Sequence, residues 1–178
     1  MIRRCTLVLA ALMLNALFTA ASFAQLAPIT FPDVDGFTKG TRYDEEPPRG
    51  KVPRSTINYT TKAKVGQDYI RSDVQIYLTD GKELKDLIAV QEKKILENPI
   101  MKDMKKTGAT EIKVGDVKVQ KLSFTGSQGS NDPRAIELYV FPYDKWYIHL
   151  SHSGPIGDAK ARSETVTKLV EALVGAAK

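Results

Sequence analysis

The chain has 178 residues, is 42% hydrophobic and 26% charged, and carries one Cys and a formal net charge of +5. These proportions fit one ordinary globular domain and exclude wholesale disorder and collagen-like repeats. A single cysteine excludes a disulfide scaffold and any cysteine-rich zinc or iron–sulfur centre.

Met1 to Arg4 holds two positive charges, and Thr6 to Ala21 is an almost unbroken apolar run interrupted by Asn15. Ser22-Phe23-Ala24 then offers the small-x-small exit of a secretory signal peptide over residues 1–24. The apolar core is shorter than the ~20 residues a bilayer span needs, so the leader is expected to be cut rather than retained. Cys5 precedes the apolar core, where lipoprotein processing would need it after. Cleavage removes Arg3, Arg4 and Cys5 and no acid, so the formal charge falls by two from +5 to +3. A cysteine-free exported chain with this style of leader points to the bacterial periplasm, with no transmembrane segment after cleavage.

Residues 25–53 hold five prolines and three glycines and read as an irregular segment. Within it, Gly36 to Tyr43 could form one short edge strand. Residues 54–178 read as a single domain. Ser55 to Thr61 is a candidate strand, and Val74, Ile76 and Leu78 alternate with Asp73, Gln75 and Tyr77 at the strand period. Asp80 and Glu83 are spaced like a capping box. Leu84, Leu87, Ile88, Ile95 and Leu96 then form the apolar stripe of a long central helix ending before Pro99. Asn98-Pro99 could start a second short helix through Lys106.

Thr110 to Gly126 reads as a hairpin turning at Gly115-Asp116. The apolar phase slips from Val117 and Val119 to Leu122 and Phe124. Such a slip means a bulge, expected near Gln120-Lys121, or a strand covered on both faces. Gly126 to Pro133 is a polar loop. Arg134 to Phe141 and Trp146 to His152 form a second hairpin about Pro142 to Lys145. Val166, Leu169, Val170, Leu173 and Ala177 make the last helix amphipathic. The expected fold class is α+β: an antiparallel sheet of hairpins with a long central helix and a C-terminal amphipathic helix packed on it.

The element order from Tyr69 to Ala177 resembles the Mog1p/PsbP-like fold of small exported bacterial proteins. That resemblance implies an antiparallel sheet between helices and a binding or assembly role. It transfers no functional residues, because it rests on element order and not on a motif.

Chemistry is sparse. His149 and His152 are three apart on one strand and should face opposite ways, which disfavours a chelating pair, so no metal and no cofactor is expected. Ser151, His149 and Asp144 could be drawn as a triad, but no strained nucleophile turn surrounds Ser151. Lys93, Lys94, Lys102, Lys105 and Lys106 are interleaved with Glu92, Glu97 and Asp103. Such a mixture reads as solvated surface and not as a nucleic-acid site. The +3 of the cut chain allows weak, salt-sensitive attraction to an anionic membrane or cell-wall polymer.

Tyr139, Phe141 and Tyr147 read as sharing one sheet face, with His149 nearby. They are a ligand patch if that face is open, and core if a helix covers it. The leading reading is a non-catalytic exported protein that binds a small ligand or envelope protein through Tyr139, Tyr147, His149 and the Gly126–Pro133 loop. The alternatives are a cofactor-free hydrolase centred on His149 and an envelope assembly factor using the proline-rich segment.

Overall fold

The structure, a computed structural model, describes residues 29–45, 54–79, 81–129 and 132–177. The leader, its cleavage site, residues 46–53 and Asp80 lie outside the described residues. Eight strands form one antiparallel sheet: β1 (Phe37–Lys39), β2 (Tyr43–Glu45), β3 (Arg54–Thr61), β4 (Arg71–Leu78), β5 (Met101–Val114), β6 (Val117–Gln128), β7 (Asp132–Tyr143) and β8 (Trp146–Pro155). The spatial order is β1-β3-β4-β8-β7-β6-β5, with β2 paired to the other end of β3. Helix α1 (Leu84–Leu96) lies on one face and helix α2 (Ala159–Ala176) on the other.

The sheet dominates, and the expected long central helix is absent. Helix α1 has only 13 residues, about 20 Å of rise, and its N-cap is Glu83 without a side-chain capping bond. Only Leu87 and Gln91 are buried on it, so its stripe is too thin to anchor a longer helix. The second short helix is replaced by the start of β5. Lys102, Lys105 and Lys106 of that segment pair with Ser127, Thr125 and Phe124 of β6. The neighbouring strand recruits a sequence that has no alternation of its own.

The expected bulge at Gln120-Lys121 is absent as well, since Gln120 and Lys121 pair in unbroken register with both neighbours. Strand β6 is covered on both faces: Val119 points into the α2 core, while Leu122 and Phe124 point into the α1 core. The register shifts fall on edge strand β5, between Lys102 and Lys105 and between Lys106 and Gly108. Asp103 at the first shift has a left-handed backbone (φ 53°). Opposite it, a Cβ on Gly126 would meet the Lys102 carbonyl at 2.8 Å, so this close approach needs glycine. Gly126 thus lies inside β6, and the expected polar loop shortens to the connection between Gln128 and Asp132.

The larger core lies under α2. Val166, Leu169, Val170 and Leu173 pack on Val74, Ile76, Tyr139, Phe141, Ile148 and Leu150. Residues 29–45 join this core instead of trailing from it, because Ile29, Phe31 and Phe37 are buried there. The segment is tied down by Tyr59, whose hydroxyl donates to the Pro32 carbonyl at 2.8 Å, and by Arg42, which donates to the Ile29 carbonyl at 3.0 Å. The smaller core, Leu87 with Leu122, Phe124, Leu138, Val140 and Tyr147, lies under α1. No helix of the described residues is long and apolar enough to cross a membrane.

Candidate functional site

Helix α1 covers only part of its face. Beyond it, β4 presents a half-exposed polar row of Asp73, Gln75 and Tyr77, with exposed Arg71 at its end. Between that row and the helix lies a groove of about 500 Å³, within the usual range for small-molecule sites. Its lining includes Arg54, Arg71, Asp73, Tyr77, Lys94 and His149. Period-2 alternation builds it: the same strands that send Val74, Ile76, Ile148 and Leu150 into the α2 core send Gln75, Tyr77, Tyr147 and His149 to the other side.

Tyr77 and Tyr147 are cross-strand partners with rings stacked at 5.3 Å and 15°. The His149 ring lies 6.4 Å from Tyr77 at 19°. Two cations attend the Tyr77 ring, Lys94 at 5.8 Å and Arg54 at 5.9 Å from its centroid. The Tyr77 hydroxyl donates to Gln75, and Gln91 donates to the Tyr147 hydroxyl at 3.3 Å. Burial raises the pKa of the Tyr147 phenol despite that bond.

His149 differs from its neighbours. It is 8% exposed, and neither ring nitrogen has a hydrogen-bond partner. Burial drives its pKa down to about 4, and the Lys94 charge adds to the effect. The ring is therefore neutral near pH 7, with one donor and one acceptor left idle. Buried polar atoms without partners are rare, and a ligand is one thing that supplies the missing bonds.

The structure separates the residues expected to form one patch. Tyr147 and His149 line the α1 face, but Tyr139 sits on the α2 face, fully buried. The register explains this: Tyr139 pairs with Leu150 and Phe141 with Ile148, so odd residues of β7 share a face with even residues of β8. His149 and His152 do point to opposite faces. Ser151 shares the His149 face, yet no hydrogen bond joins them, and Asp144 lies in the turn beyond Trp146. No triad is assembled there. Among the described residues, no three or more His, Cys, Asp or Glu side chains converge as a metal cage would require.

Tyr139 belongs to a buried polar network instead. The Glu137 carboxylate accepts from Lys121 at 2.8 Å, from the Tyr139 hydroxyl at 2.9 Å and from His152 Nε2 at 3.1 Å. Lys121 also donates to Ser163 of α2 at 2.5 Å. Burial alone would raise the Glu137 pKa, but the bonds from His152 and Lys121 and the Lys121 charge hold it at about 2. Burial pushes the Tyr139 phenol up, and the adjacent carboxylate pushes it further. Lys121 thus links the Glu137 carboxylate of the sheet to Ser163 of α2. The network is a polar clamp between the sheet and α2.

No family model matches the chain, and no curated protein matches it. A solved structure does. The chain is similar to the crystal structure of PA94, a protein of unknown function from Pseudomonas aeruginosa, with a TM-score of 0.52 and 8% identity over 74% of this chain and 95% of that one. At that identity the likeness is one of fold.

Sequence reasoning missed Tyr77, Gln91 and Lys94 as site residues, and Glu137 and Lys121 as a pair. The turn at Asp144-Lys145 was the available signal. Two residues between paired Tyr143 and Trp146 fix which parities share a face.

Proposed function

We propose that this chain is an exported, periplasmic, non-catalytic binding protein whose ligand enters the groove between α1 and strands β4 and β8. Export rests on the charged start, apolar run and Ser22-Phe23-Ala24 exit of the first 24 residues. Binding rests above all on His149, a buried ring with two idle nitrogens at a groove of about 500 Å³. Tyr77 supplies flat apolar surface beside it, backed by the buried Tyr147 ring, and Gln91, Ser151 and Asn98 supply polar contacts. Charged and amide side chains converge there with the Tyr77 ring, so the groove suits a small polar ligand.

A fragment library screened by amide chemical shifts on the labelled protein tests this. Hits should cluster at Gln75, Tyr77, Lys94 and His149. Ser151→Trp, which fills the groove from a half-buried position, should weaken those hits at least about tenfold and leave the melting temperature unchanged. Hits scattered over the surface, or untouched by Ser151→Trp, contradict the reading.

A further inference from the structure

The charges around the groove do not cancel. Arg54 is paired with Glu45, and Arg71 reaches Asp73 at 3.3 Å. Lys94 has no carboxylate partner among the described residues, and its ammonium is held only against the face of Tyr77. Groups reach toward His149 from every packed element: Lys94 and Gln91 from α1, Asp73, Gln75 and Tyr77 from β4, Arg54 from β3 beyond Tyr77, and Tyr147 and Ser151 from its own strand. From β7, the residue opposite is the apolar Val140. The one carboxylate among them, Asp73, is engaged by Arg71. Gln75 lies directly across from His149, but its carbonyl oxygen is taken by the Tyr77 hydroxyl.

The unpartnered His149 ring and the unmatched Lys94 cation therefore share one groove, both beside the Tyr77 ring. We infer that the groove takes a small organic carboxylate, held between the Lys94 ammonium and the His149 ring, and that His149 gains a proton as the ligand binds. The inference rests on the binding reading above. The proton comes from bulk water or buffer, stays on the ring and becomes a donor to the carboxylate; no covalent bond changes. In the empty groove, burial and Lys94 both oppose a charged ring. A bound anion offsets the Lys94 charge and gives the imidazolium a partner, so both obstacles fall together. Linkage then requires binding to tighten as pH falls, by up to about tenfold per pH unit while the free ring stays neutral and the bound ring is protonated.

The test uses the protein purified after export, labelled for ring NMR, with His149→Leu assigning the His149 signals. Benzoate and its uncharged isostere benzamide are the probes, within a wider set of matched acids and amides. Benzoate should raise the His149 titration midpoint by about one unit or more, and benzamide should leave it in place. Lys94→Gln, a change at an exposed helix position, should weaken benzoate about tenfold and leave benzamide unaffected. Amides that bind as tightly as acids, or acids that bind without moving the His149 midpoint, overturn the carboxylate assignment and leave groove binding intact. Perturbation of the groove by neither class overturns both.

Discussion

Glu137→Gln is expected to destabilise the protein by about 3 kcal/mol at pH 7, measured by urea denaturation, the low end of the range for breaking a buried ion pair. Glu137 is 7% exposed, and its carboxylate joins three donors from three elements: Lys121 of β6, Tyr139 of its own strand and His152 of β8. The amide oxygen that replaces it is neutral, and its NH₂ group points a donor at groups that already donate. Lys121 is then left near the α2 interface without its counter-charge. Removing both charges with Glu137→Leu and Lys121→Met should recover part of the loss, because the charge desolvation penalty leaves with them while Tyr139 and His152 still lose their acceptor. The fragment response of the groove should be unchanged, since neither Glu137 nor Lys121 lines it. A loss below about 1 kcal/mol from Glu137→Gln would mean that the clamp is solvated and does not hold α2 to the sheet.

Acid should destabilise the protein in two stages set by two different groups. His149 titrates near 4 when folded and near 6.5 when unfolded. Above pH 6.5 both states are neutral and stability is full. As pH falls from 6.5 to 4 the unfolded chain takes up a proton that the folded chain refuses, and stability drops by about 3 kcal/mol. Glu137 acts lower, because its folded pKa of about 2 lies below its ordinary value. Its contribution is present above about 4.5 and is lost as pH falls toward 2. His149→Leu should abolish the first stage and spare the second. At pH 7 that variant should be as stable as the parent or about 1 kcal/mol more so, because two unpartnered buried nitrogens are removed. Denaturation curves collected from pH 7.5 to 3.5 would contradict this if parent and variant ran parallel.

Much of the frame was legible because its residues obey one period each. Val74 and Ile76 alternate with Asp73 and Gln75 along a strand with one dry and one wet face. Val166, Leu169, Val170 and Leu173 recur at helical spacing and are all buried. Gly115-Asp116 marked its hairpin, with Gly115 at φ 59° as the turn requires. The failures share a cause, in that pairing set the outcome where local pattern did not. Met101 to Thr107 has no alternation, and Pro99 looked like a helix start, yet β6 pulled the segment into an edge strand with two register shifts. The slip between Val119 and Leu122 arose from helices on both faces, and two-sided burial erases the period that marks a strand.

The candidate site was half legible. Tyr147 and His149 were named and do lie together, while Tyr139 was assigned to the wrong face because parity was not carried through the β7–β8 turn. Lys94 read as one more cation in a mixed-charge stretch. Only the fold places it over Tyr77, without a matching acid among the described residues.

Diffraction from crystals soaked in a mixture of small acids and amides tests the central claim most directly. The account predicts density for a bound fragment between α1 and the Arg71–Leu78 strand, with a polar atom within hydrogen-bonding reach of a His149 ring nitrogen. Fragments seated only elsewhere, beside a His149 ring already sealed by protein atoms, would contradict it.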